Sequence, residues 1–238
     1  MRESRLYTLS VADLVSLANA ALGFGALVLA IEGQVNQAAR LILLGAVADG
    51  LDGFFAMKFG GSEIGVEIDS LCDIVTFGVA PAAVVYSVAL DGGQYIAFIS
   101  VLYVIAAVFR LARYNVENAD GFGFDGVPST LSGVLTAAFV LSGAGVSVSS
   151  TTGAGTPAIY LGLSLFLSFM MLTKLDYPDL RVPHALPAGV LILLAAVFPG
   201  VGDGVFTYVL LFLVIVFLVF SPRFYTGYQG DAVLNQDR

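Results

Sequence analysis

Four aspartates in the second and third apolar segments of the chain have the spacing of a metal-dependent site. Asp49 and Asp52 are three residues apart, and Asp69 and Asp73 are four apart, so each pair lies on one face of its own helix. A short connector joins the two segments, which makes the helices antiparallel neighbours. Because both pairs lie within a few turns of that connector, the sequence predicts that the four carboxylates converge at one depth.

The charge of these carboxylates indicates which ligands the site takes. Ionised acids in a medium of low dielectric constant repel one another and are costly to desolvate, so cations must offset their charge. Oxygen ligands favour the hard divalent ions Mg²⁺ and Mn²⁺. Two such ions would bridge a diphosphate and stabilise a leaving oxygen. Gly50, Gly53 and Gly65 leave room beside the acids for a phosphate and for a neighbouring helix.

Two other interpretations of the aspartates stay open. They would be packing residues if they were paired with arginines, but few basic residues lie in these two segments. A sodium or proton pathway would use similar acids, although it would not require the glycines. His184 and Cys72 are the only histidine and the only cysteine, which excludes a His–His pair, a disulfide framework and a cysteine-based zinc site, and argues against a Ser–His base.

The elements that carry the aspartates are membrane helices. Of the 238 residues, 58% are hydrophobic and 12% are charged, against about 25% charged in soluble domains. A span needs roughly 20 apolar residues, and barrel strands would be shorter and alternating. The sequence therefore predicts one all-α domain over residues 1–238, a polytopic membrane helical bundle of about eight transmembrane helices. These lie near Val11–Ile31, Ala38–Met57, Ile64–Leu90, Tyr95–Leu111, Val127–Val148, Pro157–Leu172, Ala185–Phe198 and Val205–Phe220.

Positive charges predict the orientation of the chain in the cell membrane, because cytoplasmic loops carry an excess of Lys and Arg. With the N-terminus inside, Arg40 alone falls outside. The cytoplasmic side then holds Arg2, Arg5, Lys58, Arg110, Arg113, Lys174, Arg181, Arg223 and Arg238. Both termini and the active site are therefore predicted to lie on the cytoplasmic side.

The run from Asp49 to Asp73 resembles the signature of the CDP-alcohol phosphotransferases. That pattern is Asp-x-x-Asp-Gly-x-x-Ala-Arg and, after a spacer, Gly-x-x-x-Asp-x-x-x-Asp. All four aspartates match, as do Gly53, Ala56 and Gly65. The resemblance implies that Asp49, Asp52, Asp69 and Asp73 bind metal, and that Asp73 also serves as the catalytic base on the acceptor hydroxyl. It also implies a homodimer.

The resemblance implies a CDP-lipid donor, bound by Asn19, Gly53, Ala56, Lys58 and Gly65. One position departs from the pattern, because the arginine expected to contact the nucleotide phosphates is Met57 here. Lys58 follows it and is predicted to replace the arginine with a different geometry. The Asn19 amide lies within an apolar span, where it contacts the cytidine, contacts the diphosphate or hydrogen-bonds another helix.

The lipid tail of the donor is predicted only from overall composition. The net charge is −8, and Lys58 and Lys174 are the only lysines. An acidic, lysine-poor chain suits a cell with a salty interior, which favours CDP-archaeol. An ordinary membrane protein with acidic loops explains the same composition, so CDP-diacylglycerol is an equal candidate.

Beyond the signature, the chain resembles the branch of the family that comprises phosphatidylserine and archaetidylserine synthases. The matching stretches are Ser62–Pro81, Arg110–Asn115 and Phe124–Pro128. This resemblance implies L-serine as the acceptor. The carboxylate of serine needs a cationic partner, and arginine binds a carboxylate through two parallel hydrogen bonds.

Arg110 and Arg113 lie three residues apart at the end of the fourth span and so are predicted to share a face. They are candidate serine-binding residues, and each serves equally well as a positive-inside anchor. Asn115 either adds a contact to serine or ends the helix.

The sequence therefore predicts transfer of a lipid-linked phosphate from a CDP-lipid to serine, with release of CMP. Two alternatives remain at this stage. Glycerol phosphate or inositol phosphate would be the acceptor if more basic residues lay near the site. A cation-coupled transporter would need a polar pathway to the outer face, where these spans have few polar residues. We expect no nucleic-acid partner.

Overall fold

The computed structural model describes residues 8–90, 93, 95–117, 124–177 and 182–236, and these residues form a helical bundle with one very short strand pair. This confirms the predicted all-α class. The helices are α1 Val11–Ile31, α2 Val35–Phe59, α3 Gly65–Asp73, α4 Ala80–Val88, α5 Tyr95–Glu117, α6 Ser129–Leu141, α7 Ala144–Thr152, α8 Thr156–Leu172, α9 Val182–Val197 and α10 Val205–Gln236.

Several of these helices have the length and composition of membrane spans. Within the described residues, Val11–Ile31, Gly65–Val88 and Tyr95–Val116 are each long and apolar enough to cross a bilayer. Shorter apolar stretches lie in α8, α9 and α10. The chain is therefore an integral membrane protein, and the number of eight spans stays a prediction. Of the charges used for the orientation, Arg2, Arg5, Arg181 and Arg238 lie outside the described residues.

The fifth predicted span is not one straight helix. Between α6 and α7 the chain bends by 68° at Gly143, whose φ of +65° is the left-handed conformation that glycine adopts without strain. The Ser142 hydroxyl accepts the N–H of Ala144 at 3.3 Å, so the bend is closed by a side chain. Helix α7 then continues to Thr152, past the predicted end of the span at Val148.

Helix α1 packs against the helices that carry the aspartates. Helix α1 begins with a capping box, in which the Ser10 hydroxyl accepts the Asp13 N–H at 3.2 Å and the Ser10 N–H donates to the Asp13 carboxylate at 2.6 Å. It packs along α2 and against α3 and α4. This arrangement brings polar side chains of α1 into contact with the acids.

The third span changes its helical form directly after Asp73. Residues Ile74–Val79 are π-helical and connect α3 to α4. Such segments often occur at functional sites, and this one carries Thr76 into contact with α1 and α2. A Cβ at Gly23 would lie 2.7 Å from Thr76 Cα, and one at Gly45 would lie 2.8 Å from Asn19 Oδ1. Both positions therefore need glycine for the three spans to approach this closely.

A two-stranded ribbon ties the later helices together. Strand β1, Phe124–Asp125, pairs antiparallel with β2, Asp176–Tyr177. The Gly126 N–H donates to the Leu175 carbonyl at 2.8 Å, and the Tyr177 hydroxyl donates to the Leu218 carbonyl on α10 at 3.1 Å. The start of α6 is thereby fixed against the end of α8 and against α10. The sequence analysis did not predict this ribbon.

Candidate active site

Three of the four aspartates converge. Asp49 on α2 and Asp69 and Asp73 on α3 each offer a carboxylate oxygen, and these oxygens lie within 4.8 Å of one another. Asp73 is 6% exposed, and the Oδ1 of Asp69 is buried without a hydrogen-bond partner. An unpartnered carboxylate oxygen beside two other acids fits a bound cation, and an all-oxygen donor set fits a hard divalent ion.

Asp52 lies one helical turn from Asp49 and outside this group of oxygens. It is 6% exposed, and its Oδ2 accepts a hydrogen bond from the Ser16 hydroxyl on α1 at 2.7 Å. The predicted convergence of four acids is therefore seen for three, with the fourth held by α1. Its role as a metal ligand stays a prediction.

Asn19 on α1 contacts Asp73. Its Nδ2 donates to Asp73 Oδ1 at 3.2 Å, and its own carbonyl accepts the Thr76 hydroxyl at 2.9 Å. Asn19 is fully buried, and its side-chain Oδ1 lacks a hydrogen-bond partner. A bond from this amide to another helix, one of the predicted alternatives, is present in the structure, and a contact to the CDP-lipid stays a prediction.

A cavity of about 770 Å³ opens from the aspartates. Its polar end is formed by Asp49, Asp69, Asp73, Ser70, Arg110 and Thr130. Its other walls are apolar and come from α6, α9 and α10, with Val134, Leu191, Leu210, Val214 and Phe217 among them. The volume is typical of small-molecule sites. A charged end joined to an apolar chamber is suited to an amphiphilic ligand.

Arg110 is the cation that lines this cavity. It is 6% exposed, and its Nε is buried without a hydrogen-bond partner. Its guanidinium carbon lies 5.1 Å from the centroid of the Tyr114 ring, within the range of a cation–π contact. A buried guanidinium requires negative charge nearby. The aspartates supply part of this charge, and a bound anion would supply the rest.

Arg113 and Asn115 have other contacts. Arg113 donates to the carbonyls of Thr173 at 3.2 Å and Met171 at 3.4 Å, at the end of α8. Asn115 Oδ1 accepts the Ser70 hydroxyl at 3.0 Å. The two arginines were predicted to share one helix face. In the structure Arg110 lines the cavity, whereas Arg113 binds backbone carbonyls at the end of α8. Asn115 reaches the cavity through Ser70.

The remaining predicted donor residues lie on α2 and at the start of α3. A Cβ at Gly53 would have nothing within 4 Å, whereas one at Gly65 would lie 3.1 Å from Asp13 Oδ1. Ala56 is half-buried. Lys58 is exposed, and its Nζ lies 5.3 Å from the Phe59 ring centroid. The open position is therefore at Gly53, whereas Gly65 packs against Asp13 of α1.

Several supporting residues were not predicted from the sequence. Ser16 holds Asp52 in place, and Thr76 holds Asn19. A signal for Ser16 was available. The buried polar residues Asp13, Ser16 and Asn19 recur on α1 at helical spacing, which predicts one polar face on an apolar helix. Thr130, whose hydroxyl donates to Asp49 Oδ2 at 3.4 Å, carried no such signal because it lies on a helix distant in sequence.

Comparison with known proteins supplies an independent result. The family described as CDP-alcohol phosphatidyltransferase matches residues 9–220. An archaetidylserine synthase from Methanothermobacter thermautotrophicus is 33% identical over 173 residues, which cover 71% of this chain and 70% of that protein. CDP-diacylglycerol–serine O-phosphatidyltransferases from Helicobacter pylori and Bacillus subtilis are also similar. The first is 32% identical over 152 residues, covering 62% of this chain and 63% of that protein. The second is 31% identical over 150 residues, covering 62% and 78%.

Proposed function

The chain belongs to the CDP-alcohol phosphatidyltransferase family, and we propose that it transfers the lipid-linked phosphate of a CDP-lipid to the hydroxyl of L-serine, releasing CMP. The observation that carries this proposal is a single cavity in which Arg110 lies beside three converging aspartates. The relatives named for serine as acceptor support the choice of alcohol. The proposal covers CDP-archaeol and CDP-diacylglycerol, because the donor residues named above address the CDP group that both share.

Asp49, Asp69 and Asp73 are the residues that would hold divalent metal, with Asp52 one turn away as the fourth ligand. Their close approach and the unpartnered oxygen of Asp69 support this assignment. We propose two ions, Mg²⁺ or Mn²⁺. When bound, they neutralise the acids and the diphosphate and stabilise charge on the departing phosphate.

Asp73 is the proposed base. It removes the proton of the serine hydroxyl, whose oxygen attacks the phosphorus attached to the lipid, and the bond from that phosphorus to the oxygen of CMP breaks. Asn19 holds one carboxylate oxygen of Asp73 and so fixes the orientation of this carboxylate. Because Thr76 and the glycine contacts fix Asn19 in turn, the base is oriented before serine arrives, which is worth more to catalysis than the same group free to rotate.

Both substrates approach the same group of acids. Gly53 and half-buried Ala56 leave space for the diphosphate and nucleotide, Gly65 lets α3 approach Asp13 of α1, and exposed Lys58 stands in place of the family's arginine. Serine occupies the polar end of the cavity, where Arg110 binds its carboxylate through paired hydrogen bonds. Arg113 supports the fold around this pocket, and Asn115 acts through the hydroxyl of Ser70.

The location of the site is part of the proposal. The distribution of Lys and Arg supports a cytoplasmic active site with both termini on the same side. The homodimer implied by the family resemblance stays a prediction.

The test uses purified protein with a CDP-lipid and radiolabelled L-serine, with and without Mn²⁺. We expect CMP release and a serine-labelled lipid in equal amounts, both dependent on metal. Parallel reactions with glycerol phosphate and inositol phosphate serve as acceptor controls. A labelled lipid formed from one of these and not from serine would contradict the proposed acceptor while leaving the reaction type in place.

A further inference from the structure

We propose that the first turn of α6 completes the binding site for the carboxylate of the acceptor, through the backbone N–H groups of Thr130 and Leu131 acting together with Arg110. This inference rests on the proposed function, because it takes serine as the acceptor. It adds a site made of main-chain donors, which sequence motifs do not reveal.

The start of α6 is an uncapped helix end at the cavity wall. The first N–H groups of a helix have no partner within the helix, and the N-cap residue here, Pro128, makes no side-chain hydrogen bond to them. Pro128, Thr130 and Leu131 all line the cavity. The helix is 13 residues long, and its N-terminus carries the positive end of the macrodipole. Free donors in a positive field bind an anion.

Arg110 is the second and independent indication of an anion. It comes from α5, it is 94% buried given its 6% exposure, and its Nε has no hydrogen-bond partner although it lines the same cavity. Main-chain donors and a guanidinium at one end of one cavity match a carboxylate, which accepts several hydrogen bonds at once.

The position of this turn is fixed in advance. The Val127 N–H donates to the Met170 carbonyl at 3.2 Å, immediately before α6 begins. Gly126 has a φ of +81°, and a Cβ there would lie 2.5 Å from the Met171 carbonyl oxygen. Donors held in place before binding lose little entropy when the ligand arrives.

The acceptor is favoured over the donor phosphate as the anion. In serine, the carboxylate and the reacting CH₂OH are attached to the same carbon, so both must lie at one end of the cavity when the hydroxyl reaches Asp73. Thr130 already contacts the group of acids, through its hydroxyl and Asp49 at 3.4 Å. A carboxylate at the start of α6 is therefore compatible with a hydroxyl at Asp73.

The test occupies the two N–H groups of this turn without changing the residues that carry them. Pro128→Asn introduces a capping oxygen that would accept the N–H of Thr130 or Leu131 and so compete with the acceptor carboxylate. Pro128→Ala removes the same ring without adding a cap. We expect the KM for serine to be at least about threefold higher for asparagine than for alanine, since the donors are already occupied.

The outcomes separate this inference from the proposed function. If the parent protein forms no serine lipid, the proposed function fails. If the parent forms it and Pro128→Asn has a higher KM for serine than Pro128→Ala while the KM for CDP-lipid stays within about twofold, the inference is supported. A rise in the KM for CDP-lipid instead would identify the donor phosphate as the anion and overturn it. A fall in kcat with a higher metal requirement would show that the turn serves Asp49, and unchanged kinetics would exclude any role.

Discussion

Replacing Asn19 with leucine should slow turnover about tenfold without weakening the binding of either substrate. Leucine has the same branched arrangement of side-chain heavy atoms as asparagine but lacks the Nδ2 that donates to Asp73 at 3.2 Å. A hydrogen bond to a charged group contributes roughly 1.5–3 kcal/mol. The long donor–acceptor distance places this one near the lower value, and about 1.4 kcal/mol corresponds to tenfold in rate.

The stability of this variant should change little, because two effects oppose each other. Removal of Nδ2 leaves one oxygen of Asp73 without a donor, which costs about 1–3 kcal/mol. The same change removes the buried Oδ1 of Asn19, which has no partner in the parent protein, and so relieves a comparable penalty. The methyl groups of leucine are larger than the amide that they replace and lie near Gly45, so thermal unfolding in detergent should occur at or somewhat below the parent temperature.

The assay is steady-state release of CMP, with serine and CDP-lipid varied separately. We expect kcat to fall about tenfold and both KM values to stay within about twofold, the pattern of an interaction that acts on the transition state. Asn19→Asp should be slower still, since it places a like charge beside Asp73. A raised KM for CDP-lipid with normal kcat would refute the reasoning and assign Asn19 to the donor.

Three further predictions follow from the site. Arg110→Lys should raise the KM for serine by about tenfold or more with little change in the KM for CDP-lipid, because lysine cannot form two parallel bonds. Arg113→Lys, which loses backbone contacts on α8, should lower the unfolding temperature more than it affects the KM for serine. The reverse pattern would exchange the roles of the two arginines. EDTA should abolish CMP release, and Mg²⁺ or Mn²⁺ should restore it; activity that survives exhaustive chelation would exclude the metal assignment. Lys58→Ala should raise the KM for CDP-lipid while Met57→Arg is neutral or favourable, and a normal KM in Lys58→Ala would remove Lys58 from the donor site.

The convergence of acids was predictable because it depends on local geometry. Helical spacing and one short connector suffice to bring Asp49, Asp69 and Asp73 together. The same rule failed to separate the two arginines, since it describes a helix face and not the partners that face meets. Arg113 contacts carbonyls at the end of α8, and no local pattern could predict where α8 ends in space.

Irregular backbone was the part of the fold that the sequence analysis did not predict. Hydropathy predicted one apolar segment, whereas the structure has α6 and α7 joined at Gly143 in the left-handed conformation. The sequence does not show whether a glycine within an apolar run bends the helix. The π-helical Ile74–Val79 segment is equally invisible to periodicity. It forms where Thr76 meets Asn19 and two glycines, which is a tertiary contact.

The most direct test of the proposed chemistry compares the parent protein with Asp73→Asn in one reaction containing CDP-lipid, labelled serine and Mn²⁺. The substitution keeps the size of the side chain and removes the base. The proposed function predicts equal amounts of CMP and serine-labelled lipid from the parent, and neither from the variant, while the variant still binds CDP-lipid. Near-normal formation of the labelled lipid by Asp73→Asn would contradict the assignment of Asp73 and the mechanism built on it.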